Sequence, residues 1–362
     1  MNWVWAPDAG MLKEWNAEVF IVRLLRSPGG LIIVGDEMSD QYSSSIIVLL
    51  RRAGIVLELQ DEEERPHIHS YFLNAEDAQA GSLIELAGVT ASRTERPVIT
   101  LIENAFLVSL DELKGIAKRV GATSNYPSWE SPFPQADKWP TWVDAVSTMK
   151  KSEASSYAED TILVMNAGSA WSRELMTLLK PRGRPIDEQH RITEAYRQMV
   201  RTISSQLTDI GQLTIFYRST TPAHPTCGAR ATPYQNDKLA ELYEDNVVWK
   251  LSKSAKSQAE KELRLRKDWD LFGVHNDVWR GAIVRLEQER VAWLASPNIP
   301  EIKRRKGKAK WIYLDVWNQA LQRPDAHYGP PGDCVNWCPP AIFNQWTMHL
   351  HHYLQQELEK RS

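Results

Sequence analysis

The sequence predicts an α/β protein with a central parallel sheet covered by helices on both faces. Three observations carry this. Short, mostly apolar runs recur along the chain, as Leu31–Val34, Thr161–Met165 and Leu213–Tyr217. Runs that are apolar without alternation fit strands buried on both faces. Each ends in a polar or glycine turn: Gly35-Asp36, Asn166-Ala167-Gly168 and Arg218-Ser219. Helical patterns follow the turns, and strand–helix alternation is the mark of a parallel sheet.

In chain order, the first strand is Leu31–Val34, entered from Pro28-Gly29-Gly30. A helix is expected from Ser39 to Arg52, then a strand over Ile55–Leu59 and an acidic turn over 61–64. Val98–Ile102 and Phe106–Val108 read as further strand pieces. The segment Tyr126–Pro140, rich in Pro, Ser and Trp, reads as a surface loop. After Thr161–Met165 comes a long helix. Its Ile192, Tyr196, Met199, Val200, Ile203 and Leu207 repeat at three- and four-residue steps, the spacing of one buried face. Leu213–Tyr217 is the next strand, Ser254–Lys267 a solvated helix, Trp311–Val316 the last strand and Pro340–Lys360 a closing helix. One domain over 1–362 is expected, with surface insertions at about 120–145 and 230–300.

The 362 residues carry 43 basic and 46 acidic side chains, a net charge of −3. That balance gives no reason to expect nucleic acid as a partner. No apolar run reaches the ~18 residues of a spanning helix. The N-terminus has no basic start followed by an apolar core, so no signal peptide is expected, and no Asn-x-Ser/Thr sequon is present. The 15 tryptophans fit a core or an indole-lined sugar groove. Three cysteines, Cys227, Cys334 and Cys338, are too few for a four-thiolate zinc site. One pair among them is expected in an oxidising compartment, and which pair is open. No cofactor or metal is expected. His67-x-His69, and His349 and His352 on one helix face, lack a third ligand. The basic run 303–306 reads as a solvated loop.

In parallel sheets, ligands bind beyond the carboxyl ends of the strands. Four segments belong there: Val34-Gly-Asp-Glu-Met-Ser-Asp-Gln41, Val164-Met-Asn-Ala-Gly-Ser-Ala-Trp171, Phe216-Tyr-Arg-Ser-Thr-Thr-Pro-Ala-His-Pro225, and Arg323-Pro-Asp-Ala-His327 with Asp333-Cys-Val-Asn-Trp-Cys338. In this order they resemble the trichome-birefringence-like / PC-esterase family of the SGNH-hydrolase superfamily, including its fungal members. The opening Trp3-x-Trp5-x-Pro7 and the helix with Asn344-Gln-Trp346 are similar too.

The resemblance implies a three-layer SGNH-like sandwich and acetyl transfer on or off polysaccharides by a Ser-His-Asp triad. It also implies the secretory pathway or Golgi, although this chain shows no targeting mark. Carried over by position, Gly35, Asp36, Asn166, Gly168 and Arg218 match the strand-end and oxyanion elements. Asp333 matches the triad acid. The serine position holds Glu37 and the histidine position holds Asn336. Cys334 and Cys338 flank Trp337 as in the family. An amide takes up no proton near neutrality, and a carboxylate repels a developing oxyanion. The implied protein is therefore an acyl-transfer fold with impaired chemistry and a cleft for a glycan or protein partner. Two alternatives stand beside it: an active acetyltransferase or acetylesterase rewired through Ser39 and His327, and a structural or regulatory partner of active relatives. The bland reading of His224 and His327 is hydrogen bonding within loops.

Overall fold

The computed structural model describes residues 11–61, 65–122, 129–148, 157–179, 185–253, 255–300, 307–329 and 333–361. Seven strands form the main sheet: β1 (Leu31–Gly35), β2 (Leu57–Asp61), β3 (Ile68–Leu73), β4 (Ile99–Glu103), β5 (Thr161–Met165), β6 (Leu213–Arg218) and β7 (Lys310–Leu314). Their spatial order is β2-β3-β4-β1-β5-β6-β7. From β4 to β7 every pairing is parallel, while β3 runs antiparallel to both of its neighbours. Counted along the chain, the five parallel strands stand in the order 2-1-3-4-5. The strand order therefore reverses between β1 and β5. A crevice opens at such a reversal.

Two apolar cores explain the sheet. Ile32, Val34, Leu163, Met165, Ile215 and Tyr217 face one of them. Leu31, Ile33, Ile162, Val164 and Phe216 face the other. Side chains alternate along a strand, so an unbroken apolar run fills both cores at once. The first core is closed by α4 (Leu110–Arg119), α5 (Trp139–Ser147), α6 (Pro185–Leu207) and α10 (Leu271–Ala295). The second is closed by α1 (Ala17–Leu25), α2 (Glu37–Arg52), α3 (Ala80–Ala87) and α12 (Ala341–Arg361). Four short helices, α7 (Asp237–Glu244), α8 (Val247–Lys253), α9 (Gln258–Leu265) and α11 (Trp317–Leu321), complete the set. A separate two-stranded sheet pairs β8 (His327–Gly329) with β9 (Asp333–Trp337).

Gly30 is required where β1 begins. Its φ is +62°, and a Cβ there would lie 2.1 Å from the Val98 carbonyl oxygen. The predicted face of α6 is buried as expected. Several expectations are corrected. The helix expected from Ser39, α2, starts at Glu37 because Asp36 caps it, accepting from the Met38 N–H at 3.2 Å, and α1 before it was not anticipated. The second strand begins at Leu57, not Ile55. Phe106–Val108 is no strand; it is buried turn beneath α4, whose start is fixed by a Ser109–Glu112 capping box. Helix α5 begins at Trp139, inside the expected loop. β7 ends at Leu314 and is followed by β8 and β9. β3 was not anticipated, because His69 and Ser70 dilute its apolar signal. Glu62–Glu64, Tyr126, Ser254, the opening tryptophan motif and the basic run 303–306 lie outside the described residues. No described helix is long and apolar enough to cross a membrane.

Candidate functional site

The cleft lies at the reversal of strand order. From the end of β1 come Asp36 and Glu37, and from the turn after β5 comes Ser169. Beyond the sheet, β9 brings in Asp333 and Asn336. Phe133, Trp269 and Phe272 form an apolar wall, and the enclosed space is about 410 Å³. Four carboxylates face it, Asp36, Glu37, Glu174 and Asp333, against one lysine, Lys267. The Lys267 ammonium lies 5.0 Å from the Trp269 ring centre.

Glu37 and Asn336, 299 residues apart in sequence, meet here. The Asn336 side-chain amide donates to Glu37 Oε2 at 3.3 Å and to Asp333 Oδ2 at 2.8 Å. Asp333 Oδ1 accepts the backbone N–H groups of Val335 and Asn336 at 3.1 and 2.8 Å. One amide thus bridges two carboxylates. Their environments differ. Burial, then the charges of Asp333 and Asp36, push the Glu37 carboxyl up. Burial also opposes the Asp333 charge, but the N–H groups of Asn336 and Val335 outweigh it and hold that carboxyl below its ordinary value. Asp36 is engaged twice: by the Met38 N–H and by the Ser169 hydroxyl, which donates to Oδ2 at 2.6 Å.

Other expected residues stand close by in different roles. Asn166 is 1% exposed, and its amide donates to the Arg218 carbonyl at 2.9 Å and to Thr220 Oγ1 at 3.2 Å. It ties the end of β5 to the end of β6, and its N–H groups are spent in doing so. Gly168 allows that junction to close, since a Cβ would lie 2.0 Å from Thr220 Oγ1. Arg218, expected in the cleft, is buried behind it. Its guanidinium lies 4.3 Å from the Trp346 ring centre and donates to Ser39 Oγ at 3.4 Å. The Trp346 ring face and one hydroxyl replace solvent there, and the Asp36 charge offsets part of the burial that lowers its pKa.

The Ser39–His327 pairing is not assembled. Ser39 is 1% exposed and packed under Gly35, where a Cβ would lie 2.3 Å from its hydroxyl. Both His327 ring nitrogens are engaged, Nδ1 with the Asn336 carbonyl at 2.8 Å and Nε2 with His224 Nδ1 at 2.7 Å. The ring stacks on Trp337 at 3.9 Å. Burial pushes His224 down to about 4 and His327 to about 3. The two histidines brace the loop and β9, as the bland reading had it. The disulfide joins Cys227 to Cys334, and Cys338 is free and exposed. Residues 334 and 338 lie along and just past an extended strand, roughly 13 Å apart at 3.3 Å per residue, too far for a disulfide.

His67 and His69 both turn to Glu103 Oε2, at 3.0 and 3.6 Å. Among the described residues no group of three or more His, Cys, Asp or Glu is arranged to hold a metal ion. His349 contacts Gln319, and His352 contacts Gln356 and the Lys13 N–H. Most described tryptophans are core: Trp139, Trp171, Trp279, Trp337 and Trp346 are fully buried, and Trp269 alone lines the cleft.

Sequence reasoning missed Ser169, Glu174, Lys267 and the wall formed by Phe133, Trp269 and Phe272. Ser169 stands directly after Asn166-x-Gly168 and was readable as part of that turn. The wall comes from two insertions, which carry no strand-end signal. No protein-family model matches the chain.

Proposed function

We propose that this chain is a PC-esterase-like protein of the SGNH fold whose cleft binds a glycan and has lost acyl transfer. The observation that carries this reading is the meeting of Glu37 and Asn336. Two residues at opposite ends of the sequence, chosen as the serine and histidine positions by motif alone, lie 3.3 Å apart beside Asp333. In that geometry a carboxylate faces an amide, and neither can do its predecessor's part. Loss of the nucleophile and base lowers turnover on the order of 10⁴ to 10⁶-fold. Among the described residues no second serine–histidine pair lines the cleft.

Four carboxylates against one lysine in the cleft favour neutral or amino sugars over uronates. Half-buried Phe133 offers the cleft an apolar face of the kind pyranose rings stack on, while Trp269 and Phe272, 8% and 1% exposed, belong to the core beneath. The Cys227–Cys334 bond fits an oxidising compartment.

The deciding test is acetyl-ester hydrolysis, on acetylated xylan and on p-nitrophenyl acetate. The natural chain should be inactive, and the double variant Glu37→Ser, Asn336→His should gain turnover. Turnover by the natural chain would overturn the reading. Calorimetric titration with neutral, amino and uronic oligosaccharides tests the cleft, and no binding to any of them would count against it.

A further inference from the structure

His224, on the loop after β6, and His327, at the start of β8, meet beside β9. His224 is fully buried and His327 is 7% exposed. Three contacts run through the two rings in a line. His224 Nε2 lies 3.1 Å from the Leu321 carbonyl oxygen, His224 Nδ1 lies 2.7 Å from His327 Nε2, and His327 Nδ1 lies 2.8 Å from the Asn336 carbonyl oxygen. All four ring nitrogens are thus engaged.

Each contact has the length of a hydrogen bond, and each needs one proton. The two outer partners are carbonyl oxygens, which only accept. His224 Nε2 and His327 Nδ1 must therefore carry hydrogens. A neutral imidazole has one N–H and one bare nitrogen. Two neutral rings spend both hydrogens on the carbonyls and set two lone pairs face to face across the middle contact. Turning either ring over puts carbon where nitrogen now bonds. The line closes only when the pair holds a third proton and a single positive charge. A fourth would press two N–H groups together, so the pair takes up one proton and not two.

The surroundings pull both ways. Burial opposes charge on both rings. The carbonyls of Leu321 and Asn336 favour it, as do Asp333 and Asp325 near His327, while Lys250 near His224 opposes it. Asp325 is itself paired to Arg323 at 2.9 Å, and Lys250 to Glu244 at 3.0 Å. Trp337 stacks on His327 at 3.9 Å, and an indole face attracts a cation.

We propose that His224 and His327 form a one-proton latch: they bind a single proton between them as the medium turns acid, and that proton locks β9 against the loop after β6. Without it the facing lone pairs drive the rings apart, and each keeps only its own carbonyl. The latch bears on the cleft directly, because the carbonyl that His327 holds belongs to Asn336, whose side chain bridges Glu37 and Asp333. It does not depend on what the cleft binds. The anchoring of β9 therefore tightens as pH falls. Global stability still declines, because the unfolded chain takes up two protons where the folded pair takes one.

Nitrogen NMR of isotope-labelled histidine rings, from about pH 8 to about pH 4, counts the protons. His224 and His327 should shift together and gain one proton between them. Two separate uptakes, or none, would overturn the proposal. Amide exchange reads the latch itself. Relative to free-peptide rates, Val335, Asn336 and Cys338 should be protected about 3- to 10-fold better at the acid end of that titration than at its alkaline end, the worth of one hydrogen bond, while β1 and β5 gain nothing. His224→Gln supplies a carboxamide with a hydrogen for Leu321 and another for His327, closing the line without a charge. In that variant the protection of β9 should not rise in acid. A variant that keeps the natural profile, or a natural chain whose β9 protection is indifferent to the ring titration, would equally refute the latch. Should His224→Gln fail to fold, the two measurements on the natural chain decide alone.

Discussion

At the scale of single residues, the cleft is governed by where N–H groups are spent. Asp333 receives three from Val335 and Asn336, and keeps its charge. Glu37 receives one, at longer range, and sits beside two other acids. The amide of Asn336 donates to both carboxylates and so relieves part of their like-charge crowding, where a neutral imidazole, with a single N–H, could donate to only one of them. Replacing Asn336 with Ala should raise the Glu37 pKa further, read as an upward shift of its carboxyl titration by NMR; an unshifted titration would deny the bridge. A second residue shows the same economy in the core. Arg93 is fully buried and donates to four backbone carbonyls, of Leu24, Leu25, Arg96 and Pro97. Together they fasten the end of α1 to the segment entering β4. Arg93→Ala removes these donors, although the Leu24 carbonyl keeps those of Arg26 and Ser27, and should lower stability by about 2–4 kcal/mol, measured by denaturant unfolding. A loss under 1 kcal/mol would show that water replaces the guanidinium. The positions Gly35-Asp36-Glu37 and Asp333-x-x-Asn336 were legible because a turn motif names its own residues. The role of Arg218 was not. A strand-end residue points into the cleft or behind it, and only the packed position of Trp346 settles which.

Among elements, β9 is the one on which the site depends. It contributes Asp333 and Asn336 but belongs to a two-stranded sheet outside the main one. Besides its pairing with β8, contacts from the loop after β6 hold it in place. Cys334 is bonded to Cys227 in the loop after β6, the His224 N–H donates to the Cys334 carbonyl at 3.0 Å, and Trp337 packs under His327. The disulfide spans 107 residues of chain, so its removal should destabilise by roughly 2–4 kcal/mol. More telling is where the effect falls. In Cys227→Ala/Cys334→Ala, amide exchange should quicken in β8 and β9 and stay slow in β1 and β5; uniform change across the molecule would contradict a local tether. The central strands of the sheet were readable from sequence because burial on both faces leaves no alternation to misjudge. β9 was not. Asp-Cys-Val-Asn-Trp has no strand pattern of its own, and only pairing with β8 makes it one. Helix α10 escaped for a related reason. Exposed Val274, Val284 and Val291 lie among Asp277, Arg280 and Gln288 on its outer face, so no clean polar side sets a helical period.

At the scale of the whole molecule, the order of the parallel strands puts the cleft at one reversal point, and the two cores on either side carry the stability. Several histidines are buried in that interior as neutral rings, which makes stability depend on pH. His275 on α10 is the clearest. It is fully buried, stacks on Tyr196 at 4.0 Å with the planes 5° apart, and its ring nitrogens have no hydrogen-bond partner among the described residues. Burial, and then the Arg197 charge on the neighbouring helix, push it down to about 3. In the unfolded chain a histidine takes up its proton near pH 6.5. Between these values the unfolded state binds more protons than the folded one, so acid favours unfolding. The contribution of His275 is whole above about pH 6.5 and declines as pH falls toward 3, by up to about 1.4 kcal/mol per pH unit. His224, His327 and His349, pushed down to about 4, 3 and 4, act in the same direction. Glu37, whose pKa is raised, acts in the opposite one. His275→Phe keeps the stack on Tyr196 and removes the titrating group along with two unsatisfied nitrogens. The unfolding midpoint of the variant should match or exceed that of the natural chain near neutrality and fall less steeply between pH 6.5 and 4. Parallel pH profiles for the two proteins would mean that His275 is already protonated, or solvated, within the fold.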